Sequence, residues 1–132
     1  LAKSPIIDNR IILNGNRLFF IEPLEATSLT AHLEWCRWTW DWIVTKKFDQ
    51  TTIEHSLVSY INQIKNFIIW HYQAGSKYDT PFWDYAKNLI IDDPVLLNIL
   101  RTVAHSDFLA GNQDWVYGQW CTRYMQVCLE RI

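Results

Sequence analysis

Apolar residues that recur every three or four positions, in runs separated by helix-start motifs, constrain this chain more than any other feature. Residues 80–81 (Thr-Pro) and 93–94 (Asp-Pro) each place a capping side chain before a proline that suits the first helical turn. Residues 51–54 (Thr-Thr-Ile-Glu) have the pattern of a capping box, and Gly75 provides a helix end. The predicted helices cover about 51–73, 80–88 and 93–105.

Two further helices are predicted on either side of these three. From Thr27 onward the apolar positions are Leu29, Leu33, Cys36, Trp40 and Ile43. This spacing predicts a long first helix that ends near residues 46–47, because two lysines suit a helix C-terminus. A last helix has an apolar face that runs from Trp120 to Ile132, although Gly111 and Gly118 interrupt its approach.

Strand character is confined to the N-terminal region. Residues 10–21 are rich in β-branched and aromatic side chains around an Asn14-Gly15 pair, which predicts a small hairpin with its turn at that pair. The expected fold is therefore mainly α, a helical domain of about five helices with a short N-terminal β strand or hairpin.

Charge and composition exclude several classes of partner. The formal net charge of -2 leaves no basic stripe for nucleic acid. The longest apolar runs are far shorter than the ~20 residues that span a bilayer, and no charged-then-apolar leader opens the chain. Three cysteines, an odd number, indicate a reducing, cytoplasmic location. His32 and Cys36 lie one helical turn apart, but two ligands do not close a tetrahedral metal site, so no metal is expected.

Residues 20–29 (Phe-Ile-Glu-Pro-Leu-Glu-Ala-Thr-Ser-Leu) carry the most chemical information. They place a carboxylate and two hydroxyl groups on a strand-to-helix turn, where free backbone N–H groups can hold an anion such as a halide. Glu25 can handle a proton there. A purely structural interpretation is also open, in which Thr27 or Ser28 caps the helix and Glu25 complements its dipole.

Two sequence motifs resemble those of flavin-dependent tryptophan halogenases. Residues 20–29 are similar to the family's Phe-x-Glu/Asp-Pro-Leu-Glu-Ser/Ala-Thr-Ser/Gly segment. Residues 67–72 (Phe-Ile-Ile-Trp-His-Tyr), followed by residues 79–83 (Asp-Thr-Pro-Phe-Trp), are similar to the family's His-Tyr and Asp-Asp-Thr-Pro-Phe-Trp strings. The likeness covers most of the chain and weakens after about Asn88.

The resemblance implies a chemistry and a set of site residues. In that family, reduced flavin (FAD), supplied by a flavin reductase, reacts with oxygen and a halide ion to give hypohalous acid, which halogenates an aromatic substrate. Glu25 matches the glutamate that directs halogenation together with a lysine. Thr27 and Ser28 match the halide-binding positions, and Gly15 with Asn16 falls where related flavoproteins approach the cofactor.

Several positions depart from the family pattern. Tyr78 precedes Asp79 where a second Asp is usual, and Ala26 replaces a common Ser. Residues 16–18 are not the usual run of small residues, and Arg17 puts close packing against the flavin in doubt.

The family's Gly-x-Gly-x-x-Gly fingerprint, its catalytic lysine segment and its Trp-x-Trp-x-Ile-Pro motif are not among these residues. We therefore expect a fragment of a larger flavin-dependent monooxygenase-like fold, inactive alone. Residues 1–26 would end the flavin-binding domain, and residues 27–132 would form the helical C-terminal domain. Trp115 and Trp120 lie in the region where the family has its substrate-binding side chains.

Tryptophans dominate the first predicted helix. Trp35, Trp38 and Trp42 share one face, while Trp40 points elsewhere. The shared face can stack on an aromatic substrate, lie on a membrane surface or pack into the rest of the protein, and packing is favoured because tryptophan buries a large area. Exposed apolar surface would also favour a homodimer. The alternative function is a stand-alone helical module that binds an aromatic ligand or a protein partner.

Overall fold

A computed structural model describes residues 1–21, 27–73 and 78–103, with the backbone alone for residues 99–103. Over these ranges the chain is mainly helical, as expected, with an N-terminal strand pair and one 3-10 helix ahead of the α-helices. The helices are α1 (Thr27–Ile43), α2 (Gln50–Gln73), α3 (Pro81–Lys87) and α4 (Pro94–Val103). Two compact units, Leu1–Ile61 and Asn62–Ile132, divide the chain within α2. The predicted last helix lies outside the described residues.

The N-terminal hairpin is present, but its turn is not at the predicted position. Strand β1 (Ile6–Ile7) pairs antiparallel with β2 (Ile11–Ile12). Asp8 and Asn9 have positive φ values of 49° and 53°, and the Arg10 N–H donates to the Ile7 carbonyl over 3.0 Å. Two successive residues in the left-handed region make a tight turn whose twist matches that of the strands. The turn is therefore at Asp8-Asn9.

The Asn14-Gly15 pair, where the turn was expected, instead begins a 3-10 helix, Gly15–Arg17. The Asn14 side chain accepts a hydrogen bond from the Gly15 N–H over 2.7 Å. Gly15 has a φ of 58°, which glycine adopts without steric cost. The same residue chemistry suits a hairpin turn and a helix start, so the pair alone does not distinguish the two.

Helix α1 is present as predicted but ends at Ile43, before the two lysines. Lys46 adopts a positive φ of 54°, and the Lys47 N–H donates to the Asp41 carbonyl over 2.9 Å. The left-handed position that ends so many helices is therefore occupied here by a lysine and not by a glycine.

The face of α1 that is buried is not the face whose apolar spacing predicted the helix. Its buried residues are Thr27, Ala31, Trp35 and Thr39, which are small or polar apart from the tryptophan. The residues that gave the periodicity are exposed, and we call them the exposed stripe of α1: Leu29, Leu33, Cys36, Trp40 and Ile43. The spacing correctly predicted a helix, and it did not predict which side faces the core.

Helix α2 begins one residue before the proposed capping box. The Asp49 carboxylate accepts a hydrogen bond from the Thr52 N–H over 2.7 Å, so Asp49 and not Thr51 is the N-cap. Hydrogen bonds from the backbone and the side chain of Thr52 hold the pKa of Asp49 below its usual value. The helix ends at Gln73 as predicted, and Gly75 lies outside the described residues.

In the first unit, one buried tryptophan joins the N-terminal segment to α1. The Trp35 side chain is fully buried, and its indole N–H donates to the Leu13 carbonyl over 2.9 Å. One position further along both segments, the Asn14 side-chain amide donates to the Cys36 Sγ at 3.5 Å. These contacts fix the segment beside α1, and Leu18 is buried further along it.

In the second unit, a buried asparagine on α2 holds the segment before α4. The Asn66 Nδ2 donates to the Asn62 carbonyl over 2.9 Å, and its Oδ1 accepts from the Asp92 N–H over 3.0 Å. With both ends of the amide bonded, its burial does not leave a polar group unsatisfied. The Asn66 side chain, and then the Lys65 ammonium at 3.4 Å, hold the pKa of Asp92 below its usual value.

Helices α3 and α4 begin where the proline pairs predict. Thr80 has extended backbone before Pro81, although its hydroxyl makes no cap hydrogen bond within the described residues. Asp93 is buried, and its carboxylate accepts from the N–H groups of Val95 and Leu96 over 2.9 and 3.1 Å. The stronger cap is therefore at α4.

Replacing Trp35 with phenylalanine should lower the free energy of unfolding by about 2 kcal/mol, because the indole hydrogen bond to Leu13 and part of the buried ring are lost. Urea unfolding followed by circular dichroism measures this loss. The matched control is Trp40→Phe on the exposed stripe, where we expect a change under about 0.5 kcal/mol. Equal losses in the two variants would contradict the assignment.

Asp93→Ala should destabilise the chain by about 1 kcal/mol, because two backbone N–H groups of the first turn of α4 lose their acceptor. Asp93→Asn retains a capping oxygen and should recover most of the loss. Thermal unfolding of the two variants under identical conditions compares them. An alanine variant as stable as the asparagine variant would show that the cap contributes nothing.

Candidate functional site

The candidate site lies at the N-terminus of α1. The helix begins at Thr27, which is buried, and continues with Ser28, which is half-buried. The start of an α-helix points backbone N–H groups and the positive end of the dipole outward, so this end favours an anion. Glu25, the predicted catalytic carboxylate, lies outside the described residues together with the rest of residues 22–26.

The segment that precedes residues 22–26 runs along α1 toward the helix N-terminus. Leu13 contacts Trp35, and six residues later Phe19 stacks on His32, with ring centroids 4.1 Å apart and planes inclined by 30°. As the chain advances, its contacts on α1 therefore move back toward Thr27. Phe19 therefore lies beside the N-terminal half of α1.

His32 contacts Phe19 on the N-terminal segment and Ser28 on α1. Its Nδ1 lies 2.6 Å from the Ser28 carbonyl. Because a carbonyl can only accept, Nδ1 carries the proton, and in the neutral ring Nε2 is then an acceptor. Nε2 is buried and has no hydrogen-bond partner among the described residues.

The contacts of His32 are not predicted by the sequence. Helical spacing relates His32 to Cys36, whereas these side chains bond to Ser28 and Asn14 respectively. In the described part of the chain, no group of three or more ligand-type residues is placed to hold a metal. Phe19 and His32 lie in different segments, so no helical spacing relates them. The periodicity of the sequence therefore does not predict their contact.

The residues expected near a flavin form an open edge of the same unit. Gly15 is half-exposed, and apart from Gly15 and its two chain neighbours no atom of the described residues lies within 4 Å of the position that a Cβ would take there. Asn16 and Arg17 follow and are exposed. The backbone at Gly15 is thus approachable by a ligand, and the Arg17 side chain is not buried against this edge.

The tryptophan face of α1 packs within the first unit. Trp35 is fully buried, and Trp38 is half-buried with an edge-on contact to Tyr60 at 5.4 Å. Trp42 is half-buried as well, whereas Trp40 is 59% exposed. The expected separation of Trp40 from the other three is confirmed, and packing accounts for Trp35.

The two parts of the second sequence motif meet in the second unit. Tyr72, at the end of α2, lies 5.9 Å from the rings of both Phe82 and Trp83 on α3, and those two rings are 5.1 Å apart. Close to this cluster in sequence, the Gln73 side chain donates to the Leu89 carbonyl. The motif therefore forms an aromatic cluster that joins α2 and α3.

Trp115 and Trp120, the predicted substrate-binding residues, lie outside the described residues. Over the part of the chain that is described, none of the helices combines the length and apolar character needed to cross a bilayer.

The chain belongs to the tryptophan halogenase family, because the family model described as "Tryptophan halogenase" matches residues 4–126. The match includes both motifs that carry the resemblance, as well as the segment from Leu13 to Phe19 and helix α1. No solved structure gives a significant match to the chain.

Proposed function

We propose that this chain supplies the catalytic glutamate and the halide-binding residues of a flavin-dependent halogenase that acts on tryptophan or another aromatic substrate. The observation that carries the proposal is the start of α1 at Thr27, two residues after Glu25, within a chain of the halogenase family. This spacing puts a carboxylate next to a helix N-terminus, where an anion is stabilised.

Each residue of the proposed site has a distinct role. The backbone N–H groups of Thr27 and Ser28 bind the halide, and Glu25 orients or deprotonates the group that transfers the halogen. Trp115 and Trp120 contact the aromatic substrate. These assignments rest on the family match and on the position of the helix start.

The cofactor of the proposed reaction is reduced FAD, delivered by a flavin reductase, which supplies the oxidising chemistry that activates the halide. Gly15 and Asn16 are the residues of this chain proposed to contact it, because Gly15 leaves its backbone open and Asn16 is exposed. Residues 1–26 then end the flavin-binding domain and residues 27–132 form the helical domain. The rest of the flavin site, including the dinucleotide fingerprint, would be contributed by other residues, so these 132 residues alone are inactive.

Glu25→Gln should lower the halogenation rate by a factor of about 100 or more, because an amide cannot accept the proton or balance the charge. The assay uses the halogenase polypeptide that carries these residues with its flavin-binding region, supplied with reduced FAD, oxygen, halide and tryptophan, and follows product by mass.

Glu34→Gln is the matched control for the carboxylate change. Glu34 is on α1 and pairs with Arg37 at 2.6 Å on the surface, away from the helix start. We expect this variant to retain the parent rate. A Glu25→Gln enzyme that keeps the full rate would remove Glu25 from the mechanism and the proposed function with it.

The second candidate function is a stand-alone helical module that binds an aromatic ligand or a protein partner. The exposed stripe of α1 favours it, with Leu29, Leu33 and Trp40 each about 60% exposed. Isolated apolar residues are common on surfaces, but a row of them along one helix marks a contact surface. We propose that in the isolated chain this stripe is covered by a second copy, in a homodimer.

Leu33→Glu should convert the dimer to a monomer, because it places a charge at the centre of the stripe. Light scattering over a range of concentrations measures the mass. Val58→Glu is the control, since Val58 is 51% exposed on α2 and outside the stripe, and it should leave the dimer intact. A parent chain that is monomeric at every concentration would contradict the dimer.

A further inference from the structure

We infer that two copies of this chain associate through the exposed stripe of α1, with the two helices packed side by side and antiparallel. This pairing rests on the homodimer proposed above and specifies the orientation of the two copies. All five residues of the stripe lie on one helix of the first unit.

The exposed stripe has the spacing of a surface on which a second helix packs. Its residues follow one another at steps of four, three, four and three. An α-helix makes one turn in about 3.6 residues, so a row with an average step of about 3.5 stays on one side of the helix. Alternating steps of four and three are those of the core positions in a coiled coil. The stripe therefore suits an α-helix as its partner.

The exposure of α1 follows the same period. Outside the stripe, the exposed residues of α1 are Thr30 and Arg37, and each is adjacent in sequence to a stripe residue. The buried residues, among them Ala31 and Trp35, lie on the opposite side of the helix. One side of α1 thus belongs to the core of the first unit, and the other is open to a partner along the whole helix.

The apolar area of the stripe is large enough for a specific dimer. Leu29, Leu33 and Trp40 are 63%, 62% and 59% exposed, and Ile43 is 45% exposed. Complete burial of the stripe on both copies would remove roughly 1,100 Å² from water, which reaches the ~1,000 Å² expected of a specific interface. A second copy of the same helix can therefore supply the whole of the cover that this surface needs.

The positive charges beside the stripe lie at one end of it. Lys46 and Lys47 follow the C-terminus of α1, and both are exposed. Parallel helices would bring the lysines of both copies to the same end, where they repel one another. Antiparallel helices separate the two pairs of lysines and place opposite ends of the helix dipoles side by side. The charges therefore favour the antiparallel arrangement.

The sizes of the side chains favour the same arrangement. Trp40 is the largest residue of the stripe and lies in its C-terminal half, whereas the two leucines lie in its N-terminal half. In parallel helices Trp40 would meet the partner's Trp40 at one level, and two indoles would hold the helices apart. In antiparallel helices each Trp40 lies beside the smaller leucines of the other copy, and this contact occurs twice about the two-fold axis. Cys36, near the middle, is small enough to allow a close approach.

Arg37 does not oppose this pairing, although it lies next to the middle of the stripe. Its guanidinium donates to the Glu34 carboxylate over 2.9 and 2.6 Å and lies 3.7 Å from the Asp41 carboxylate. The charge of Arg37 is therefore compensated within each copy. Two arginines near the dimer axis would belong to a network of both signs.

Cross-linking at single positions of the 132-residue chain tests both the surface and the orientation. In an antiparallel pair the middle of the stripe lies close to the same position of the partner, while each end is about 20 Å from its own counterpart. A short bis-maleimide should therefore link Cys36 to the partner's Cys36. It should not link the end positions in the variants Leu29→Cys and Ile43→Cys, each combined with Cys36→Ser. Mass spectrometry of the linked peptides identifies the joined positions.

Val58→Cys combined with Cys36→Ser is the matched control. Val58 is 51% exposed on α2 and lies outside the stripe, so we expect no link there. Links at positions 29 and 43 as well as 36 would show parallel helices and would overturn the inference. A dimer without a link at Cys36 would place the interface on another surface and would overturn it as well.

Two charge substitutions test the orientation by a second route. Leu29→Glu and Ile43→Lys each place a charge in the stripe, and each should weaken dimerisation about tenfold. Both positions are exposed, so the fold should tolerate them, and circular dichroism checks this. The double variant should dimerise about fivefold more tightly than either single variant, because antiparallel helices place the two opposite charges side by side. Analytical ultracentrifugation over a concentration series measures the dissociation constants, and a double variant no tighter than the single variants would contradict the antiparallel pairing.

The outcomes separate this pairing from the functions proposed above. A parent chain that stays monomeric at every concentration contradicts the proposed homodimer, and the pairing with it. A parent chain that dimerises but fails the cross-linking or the charge test removes only the antiparallel pairing through the stripe. The effect of Glu25→Gln on halogenation decides the proposed enzymatic function independently of these measurements.

Discussion

The hydrogen bond from the buried Trp35 indole to the Leu13 carbonyl is the contact on which the arrangement of the first unit depends. The N-terminal segment has only a two-residue strand pair and a 3-10 helix of its own, which is too little to hold it in place. Further along the same segment, Phe19 stacks on His32. The position of the N-terminal segment thus depends on a tryptophan of α1.

Helix α1 has apolar residues on one side and small residues on the side that is buried. The buried side consists of the small side chains of Ala31 and Thr39 together with the large ring of Trp35. The larger side chains of the exposed stripe face away from this core. A helix with apolar character on both sides is typical of one that is covered on both sides in its complete surroundings.

Local rules predicted the elements well and the tertiary contacts poorly. The starts of α3 and α4 follow from proline chemistry, which acts within a few residues. The hairpin turn and the cap of α2 were misplaced, because Asn14-Gly15 and Thr51 have neighbours, Asp8-Asn9 and Asp49, with the same chemistry. The contact between Phe19 and His32 follows from the fold of the segment along α1 and has no local sequence pattern.

The exposed stripe of α1 has a thermal consequence for whatever covers it. Association through aliphatic and indole surface is driven near room temperature by the entropy of released water, and it carries a negative heat capacity change. Such an interface weakens on cooling and strengthens on moderate warming. An assembly of chains that associate through this stripe would therefore dissociate most readily in the cold.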